Sequence, residues 1–220
     1  MAERRTSRKR QDKDVDRHPV ARLIPTQKRS RERYERILAC AVELMTEKGS
    51  DAFKMSDIVE RTGIGFGSLY QYFPDKTAVI ATLAERYNAI GRDCVRKELS
   101  ALKSAGDLHA VLCRITQSYY DFFQREPAVR HIWQATQADR NLQKIDEEDG
   151  LALTGLLVAA TQQALPAARE TDLADFCQLQ MVLISAAVRH AITLPSRDGR
   201  RILDLFMAML PDRLVAHAAA

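Results

Sequence analysis

The sequence predicts an all-α protein, and three observations support this fold class. Its 220 residues include only 9 glycines and 7 prolines, so few positions would interrupt a long helix. Apolar residues recur at the three-to-four spacing of a helix from about position 29 onward. No segment shows the strict apolar–polar alternation of a half-buried strand. We therefore expect a three-helix domain over residues 29–76 and a larger helical bundle over residues 77–220.

The N-terminal domain begins with a predicted helix over residues 29–48. Ile37 and Leu44 belong to a set of apolar residues at helical spacing, which would form the buried face of this helix. Gly49 follows and would end the helix as a C-cap glycine.

Two short helices and the start of a long one are predicted next. Ser56 is a good N-cap for the second helix, and Gly63 follows that helix. The third helix lies within residues 65–73 and is stopped by Pro74, because the residue before a proline is pushed out of the helical region. Asp75 would then cap the fourth helix.

The C-terminal part contains five further stretches of helical periodicity. The predicted helices cover residues 108–122, a segment that starts at Pro127, residues 138–165, a segment from Thr171 or Asp172 to Leu194, and residues 202–210.

The charge of the chain is unevenly distributed. Residues 1–36 hold 13 Lys/Arg and 6 Asp/Glu, a net charge of +7, whereas residues 37–220 hold 20 and 23, a net charge of −3. Residues 1–28 also lack apolar periodicity, so we expect them to form a disordered basic arm. Such an arm is typical of contact with a polyanion, but a solvated tail without a partner has the same composition.

The segment from Ser56 to Phe73 has the spacing of a helix-turn-helix motif, with the turn at Gly63. Leu69 and Phe73 would face inward on its second helix. The other face would present Phe66, Gly67, Ser68, Tyr70, Gln71 and Tyr72. Hydroxyl groups can bind phosphates and Gln can read a base edge, so this face suits a DNA groove. An ordinary helical hairpin with a polar outer face remains the alternative at this point.

Residues 62–76, TGIGFGSLYQYFPDK, closely resemble the DNA-binding segment of TetR-type transcriptional repressors. The resemblance covers about residues 30–85. It implies an N-terminal helix-turn-helix DNA-binding domain and a C-terminal helical bundle that binds an effector and dimerises. The implied function is that of a transcriptional repressor, released from a palindromic operator by a small molecule.

The resemblance also implies roles for individual residues. It implies phosphate contacts for five side chains: Ser56, Ser68, Tyr70, Tyr72 and Lys76. It implies contacts with base edges for Gln71 and Gly67. Phe66 departs from the pattern, because the family often has a polar residue there, so this resemblance assigns Phe66 no definite role.

An aromatic-rich stretch between positions 119 and 133 predicts either core packing or the lining of an apolar pocket. We expect an effector pocket for an apolar or aromatic molecule, lined by Tyr119, Phe123, Trp133 and Met181. Two segments rich in Ala, Leu and Val, residues 151–165 and 173–194, are expected to pair in a homodimer, because their apolar surface exceeds one core face.

Other classes of protein find less support. The four cysteines lack zinc-ligand spacing, so we expect reduced thiols, with a redox role for Cys113 or Cys177 left open. The acidic run over residues 146–149 is expected to be a solvated helix start. No complete phosphate loop or nucleophile elbow occurs, so we expect no enzyme, cofactor or metal site.

The uninterrupted apolar runs, such as Ile37–Val42 and Met181–Ile184, are too short to cross a membrane, so a cytoplasmic location is expected. An architectural DNA binder without sequence preference stays an alternative to the repressor.

Overall fold

The structure of the protein is a computed structural model that describes residues 25–166 and 170–214. Within these ranges it has nine α-helices, one short 3-10 helix and no strand, so the all-α prediction is confirmed. The helices are α1 (Lys28–Ala52), α2 (Met55–Thr62), α3 (Phe66–Tyr72), α4 (Lys76–Leu99), α5 (Leu108–Arg125), α6 (Pro127–Ala138), α7 (Arg140–Ala164), α8 (Glu170–Ala191) and α9 (Ser196–Met209). Nearly all of the predicted basic arm, residues 1–24, lies outside the described residues.

The regular part of α1 ends where the sequence predicted. Gly49 adopts a φ of 82° and a ψ of 165°, a non-helical conformation that favours glycine, so the first helical segment stops there. One further turn up to Ala52 follows this kink and is included in α1. The Lys76 ammonium group donates hydrogen bonds to the carbonyl oxygens of Ser50 and Asp51 in this turn, both at 3.0 Å.

The cap predicted for α2 is wrong, whereas the cap predicted for α4 is confirmed. Lys54 occupies the N-cap position of α2, because the Asp57 carboxylate reaches back and accepts its backbone N–H at 3.0 Å. Gly63 ends α2 with a φ of 69°. At α4, the Asp75 carboxylate accepts the backbone N–H of Ala78 at 2.7 Å.

The core of the N-terminal helices continues into the larger bundle. Ile37 of α1, Leu69 of α3 and Leu83 of α4 are buried in one apolar cluster with Ile132 of α6 and Ile145 of α7. The two expected domains, divided between residues 76 and 77, therefore share one continuous core, because α6 packs directly against α1.

A second apolar cluster lies among the later helices. Leu112 and Ile115 of α5 pack there with Cys177 and Ile184 of α8. No helix in the described part of the chain is both long and apolar enough to cross a bilayer.

Apolar side chains exposed on the bundle concentrate on α8 and α9. Leu179, Val182 and Leu183 are exposed on α8, and Ile202, Leu205 and Met209 are exposed on α9, where Met209 reaches 74%. Helix α7, which we expected to pair together with α8, exposes Leu151 as its one large apolar side chain among the described residues. The free apolar surface thus belongs to α8 and α9 rather than to α7 and α8.

Candidate nucleic-acid interface and ligand cavity

Helix α3 presents one continuous exposed face to solvent. Leu69 is fully buried beneath it. Phe66, Gly67, Tyr70 and Gln71 are exposed on the opposite side, as the sequence predicted. Ser68 is half-buried at the edge of this face, and Ser56 is exposed in the first turn of α2.

The exposed face carries an aromatic pair made of Phe66, which the sequence left without a role, and Tyr70, for which the resemblance implied a phosphate contact. Phe66 is 49% exposed and Tyr70 is 43% exposed. Their rings stack at a centroid distance of 6.1 Å with an interplanar angle of 17°, as expected for residues one helical turn apart. This pair offers a flat surface for sugars or thymine methyl groups beside the amide of Gln71.

Tyr72 does not lie on the exposed face, so that part of the prediction is wrong. Its side chain is only 3% exposed, and its ring meets Tyr34 edge to face at 6.0 Å. Its hydroxyl is hydrogen-bonded to the Ser30 hydroxyl at 2.7 Å. The last turn of α3 is therefore packed against the first turn of α1, and Tyr72 acts in positioning these two helices.

Lys76 is also engaged within the protein. Its ammonium group donates to the carbonyl oxygens of Ser50, Asp51 and Phe53, the last at 3.4 Å, and it lies 5.1 Å from the centre of the Phe53 ring. An ammonium group has three N–H donors, and three carbonyl groups take them. The phosphate contact expected of Lys76 would require these bonds to be exchanged.

Positive charge for DNA contact is scarce within the helix-turn-helix itself. Residues 37–76 hold four Lys/Arg and six Asp/Glu, a net charge of −2. Arg61 forms a two-pronged pair with Glu47 at 2.7 Å, and Lys48 lies 3.3 Å from Asp57. With Lys76 bound to carbonyl groups, most of these cations already have partners inside the domain.

Further positive charge lies in the first turn of α1. Arg29 and Arg31 are exposed there, on either side of Ser30. The Ser30–Tyr72 hydrogen bond holds this turn against the last turn of α3.

The four residues predicted to form a pocket are brought together in the larger bundle. Tyr119, Phe123, Trp133 and Met181 all line one cavity between α4, α5, α6, α7 and α8. The volume of this cavity is about 80 Å³. Tyr119 and Phe123 meet edge to face at 5.1 Å and form one apolar wall.

The cavity also has a polar lining that was not predicted from the sequence. Asp146 and Asp149 line the cavity together with Arg189, so the acidic run is not simply a solvated helix start. Glu147 and Glu148 are exposed, because they lie on the other side of α7. The available signal was the three-residue spacing of the two aspartates, which places both on one helix face.

The charges around the cavity are paired. Arg92 forms an ion pair with Asp149, and Arg189 lies 3.8 Å from Asp146. Asp146 also accepts hydrogen bonds from Thr136 at 3.0 Å and from Gln137 at 2.6 Å. Burial raises the pKa of both aspartates above the usual range, against the lowering effect of these partners.

Of the two cysteines left open as redox sensors, Cys177 is the poorer candidate. Burial raises the pKa of the Cys177 thiol to about 11, so this thiol is mainly protonated at neutral pH, whereas thiol oxidation proceeds through the thiolate. Burial also raises the pKa of Cys113, whose sulfur lies 3.5 Å from His109 Nε2.

Two family models match the chain. A model described as bacterial regulatory proteins, tetR family, matches residues 37–83. A model described as tetracyclin repressor-like, C-terminal domain, matches residues 106–218, just over half of the chain.

Individual proteins are similar over shorter or more divergent stretches. The chain is 45% identical over 53 residues to the uncharacterized HTH-type transcriptional regulator YvdT of Bacillus subtilis, covering 24% of this chain and 27% of YvdT. It is 30% identical over 98 residues to the HTH-type transcriptional repressor KstR of Rhodococcus jostii, covering 44% of this chain and 43% of KstR. The chain thus spans less than half the length of either curated relative.

A solved TetR-family transcriptional regulator from Pectobacterium atrosepticum superposes with a TM-score of 0.63 and 17% identity, covering 84% of this chain and 93% of that chain. This likeness extends the shared fold to the whole helical bundle.

Proposed function

The chain belongs to the TetR family of bacterial transcriptional regulators, and we propose that it is a repressor that binds a palindromic operator as a homodimer and leaves it when a small effector enters the cavity. The observation that carries this proposal is the exposed face of α3, together with the exposed Arg29 and Arg31 in the turn of α1 that the Ser30–Tyr72 hydrogen bond holds against α3. A short helix with an exposed amide and hydroxyl, on a domain that also exposes arginines, has the chemistry needed in a major groove.

The proposed division of labour on DNA follows from the contacts of each side chain. Gln71 reads a base edge, and Gly67 lets the backbone of α3 come close to the groove. Tyr70, Ser68 and Ser56 bind phosphates, with support from the arginines of α1. Tyr72 and Lys76 are left out of this set, because their polar groups already bind Ser30 and the end of α1.

Dimerisation is proposed through the exposed apolar faces of α8 and α9. Side chains such as Val182 and Leu205 are 57% and 62% exposed in the single chain, and burying them would remove apolar surface from water. A two-fold pair also matches the geometry of operator recognition, because two recognition helices then read two half-sites.

Coupling between cavity and DNA is proposed to pass through α6. Trp133 and Ile132 of this helix line the cavity, while Ile132 and Ala128 also pack in the core that contains α1 and α3. A ligand that displaces α6 would therefore also shift α1, the helix that carries Arg29. The effector acts only if it binds the released arrangement more tightly than the DNA-bound arrangement.

Selection from randomised DNA duplexes, followed by footprinting, tests the proposed function. A repressor should enrich a two-fold symmetric sequence and protect both halves of it. An architectural binder should enrich no sequence, and that result would overturn the proposal. Because Trp133 is the only tryptophan, an effector that releases the operator should also change the emission of the protein.

A further inference from the structure

Two residues that line the cavity each carry a buried hydrogen-bond donor without an acceptor in the described part of the chain. Among the described residues, three buried side-chain polar atoms lack a partner: Trp133 Nε1, Arg189 Nε and Gln180 Oε1. Trp133 and Arg189 both line the cavity. A buried donor without a partner is unfavourable, so two at one cavity need a physical explanation.

These two donors belong to groups that are in direct contact. The Arg189 guanidinium lies 5.0 Å from the centre of the Trp133 ring. Its Nη2 atom lies 3.8 Å from Asp146, and its Nε atom has no partner among the described residues. The wall of the cavity at this contact thus carries two N–H groups without an acceptor, one neutral and one cationic.

The charge balance narrows the kind of molecule that carries this oxygen. Asp146 and Asp149 face Arg189 and Arg92, so the cavity and its immediate surroundings are neutral overall. An anionic ligand would add an unbalanced charge beside two carboxylates. An ammonium ligand would bring further donors to a place where donors are already in excess.

The remaining walls are mainly apolar. Phe122 and Phe123 meet edge to face at 6.5 Å, and Ile115, Val129 and Leu153 also line the cavity. Asn88 and Ser185 add two neutral polar side chains to this lining. Such walls accept a hydrocarbon or aromatic body and offer neutral polar groups rather than further charges.

We infer that the ligand of this cavity is a neutral, mainly apolar molecule with a carbonyl-type oxygen, which accepts hydrogen bonds from Trp133 Nε1 and Arg189 Nε. This inference names the chemical class of the effector, and in that respect it rests on the proposed function. It also narrows the apolar or aromatic class expected from the sequence, because a purely hydrocarbon ligand would leave both donors unpaired.

Matched pairs of small molecules test the inference by calorimetry on the full chain without DNA. The carbonyl probes are acetophenone and 2-acetylnaphthalene. Their partners, α-methylstyrene and 2-isopropenylnaphthalene, have nearly the same shape but carry CH₂ in place of the oxygen. Benzoate and benzylammonium serve as charged probes.

We expect at least one carbonyl probe to bind about tenfold or more tightly than its hydrocarbon partner, because a lost hydrogen bond to a charged group has an effect of that size. Both charged probes should bind more weakly than the carbonyl probe of the same size. In Trp133→Phe, which removes the indole N–H, the preference for the carbonyl probe should fall at least about threefold. In the control Phe123→Leu, the affinities for both members of a pair should fall by the same factor, so the preference for the carbonyl probe should stay unchanged.

The inference is overturned if hydrocarbon and carbonyl probes bind equally, because a bound water would then already satisfy the donors. It is equally overturned if a charged probe binds best, or if neither carbonyl probe binds at millimolar concentration. Thermal unfolding of both variants shows whether they fold. The titration contains no DNA, so a result against the inferred ligand class does not contradict the proposed operator binding. In the same way, a failure to select an operator does not contradict the inferred ligand class.

Discussion

Gln71 and Tyr72 are neighbours in the sequence, yet they have different relations to DNA. Gln71 is exposed on α3, whereas the Tyr72 hydroxyl is bound to Ser30 beneath that face. Substitutions at the two positions should therefore distinguish the reading of a base from the positioning of α3 against α1.

We expect Gln71→Ala to relax the preference for one base pair in each half-site. The loss should be about 1–3 kcal/mol of discrimination if the amide makes a bidentate contact. Selection from randomised duplexes measures this change. Tyr72→Phe is the control, because loss of the Ser30 bond should weaken binding to all sequences alike. An unchanged preference profile in Gln71→Ala would show that another residue reads the base.

Gly67 allows a test of how closely the backbone of α3 approaches DNA. A methyl group at this position would meet no atom within 4 Å in the free protein. Gly67→Ala should therefore leave stability unchanged or raise it by about 0.5–1 kcal/mol, because alanine loses less entropy in a helix. DNA affinity should fall, since the methyl group would occupy the contact. Thermal unfolding and DNA titration check the two effects, and unchanged DNA affinity would contradict the close approach.

At the scale of elements, the first turn of α1 is expected to act as the cationic edge of the DNA-binding surface. Each phosphate that it neutralises adds about 0.9 to the slope of log affinity against log salt on duplex DNA. The double variant Arg29→Ala and Arg31→Ala should lower affinity for all duplexes and reduce this slope by up to about 2.

Titration at several salt concentrations measures the slope. Arg201→Ala is a suitable control, because Arg201 is exposed on α9, far from α3 in the chain, and pairs with Asp198. Deleting residues 1–24 tests in the same way whether the basic arm contacts phosphates. If neither the double arginine variant nor the deletion changes the salt slope, the positive charges of the N-terminal segment make no phosphate contacts.

The packing of α9 onto α8 depends on one glycine. A Cβ atom at Gly199 would lie 2.4 Å from the carbonyl oxygen of Ala191, a distance that no ordinary contact allows. Gly199→Ala should lower the free energy of unfolding by about 1–3 kcal/mol, because the backbones of both helices must move apart.

Gly155→Ala provides the matched control for this prediction, because a Cβ atom there would meet nothing within 4 Å. Chemical denaturation measures both variants. Equal stability of the two would mean that α9 can shift without cost.

At the scale of the whole molecule, two pairs of helices compete as the dimer interface. The amino-acid composition favours α7 with α8, whereas the exposed apolar side chains lie on α8 and α9. Leu205→Glu on α9 should dissociate the dimer, because a charge buried among apolar side chains has no partner there. Leu151→Glu on α7 should leave the dimer intact.

Sedimentation at micromolar concentration distinguishes the two arrangements. The Leu205→Glu monomer should also lose affinity for a palindromic operator, because a single recognition helix reads one half-site. If only Leu151→Glu dissociates the dimer, the dimer interface includes α7 and not α9.

Local sequence determined much of the helix arrangement of this protein. The three-to-four periodicity, Gly63, Pro74 and Asp75 placed α1 to α3 and the start of α4 close to their observed bounds, because capping and turn geometry depend on a few neighbouring residues. The exposed face of α3 and the four cavity residues followed from the same reasoning, helped by the resemblance to a family.

What only the tertiary structure decided depends on contacts between residues far apart in the chain. Ser30 lies 42 positions from Tyr72, and their hydrogen bond removes Tyr72 from the exposed face. Lys76 is drawn to the end of α1, and Asp146 turns towards Arg189 to make a polar cavity wall. Periodicity identifies which side of a helix is apolar, but it does not identify which helix that side meets. The partners of buried polar groups are therefore fixed only when the helices pack.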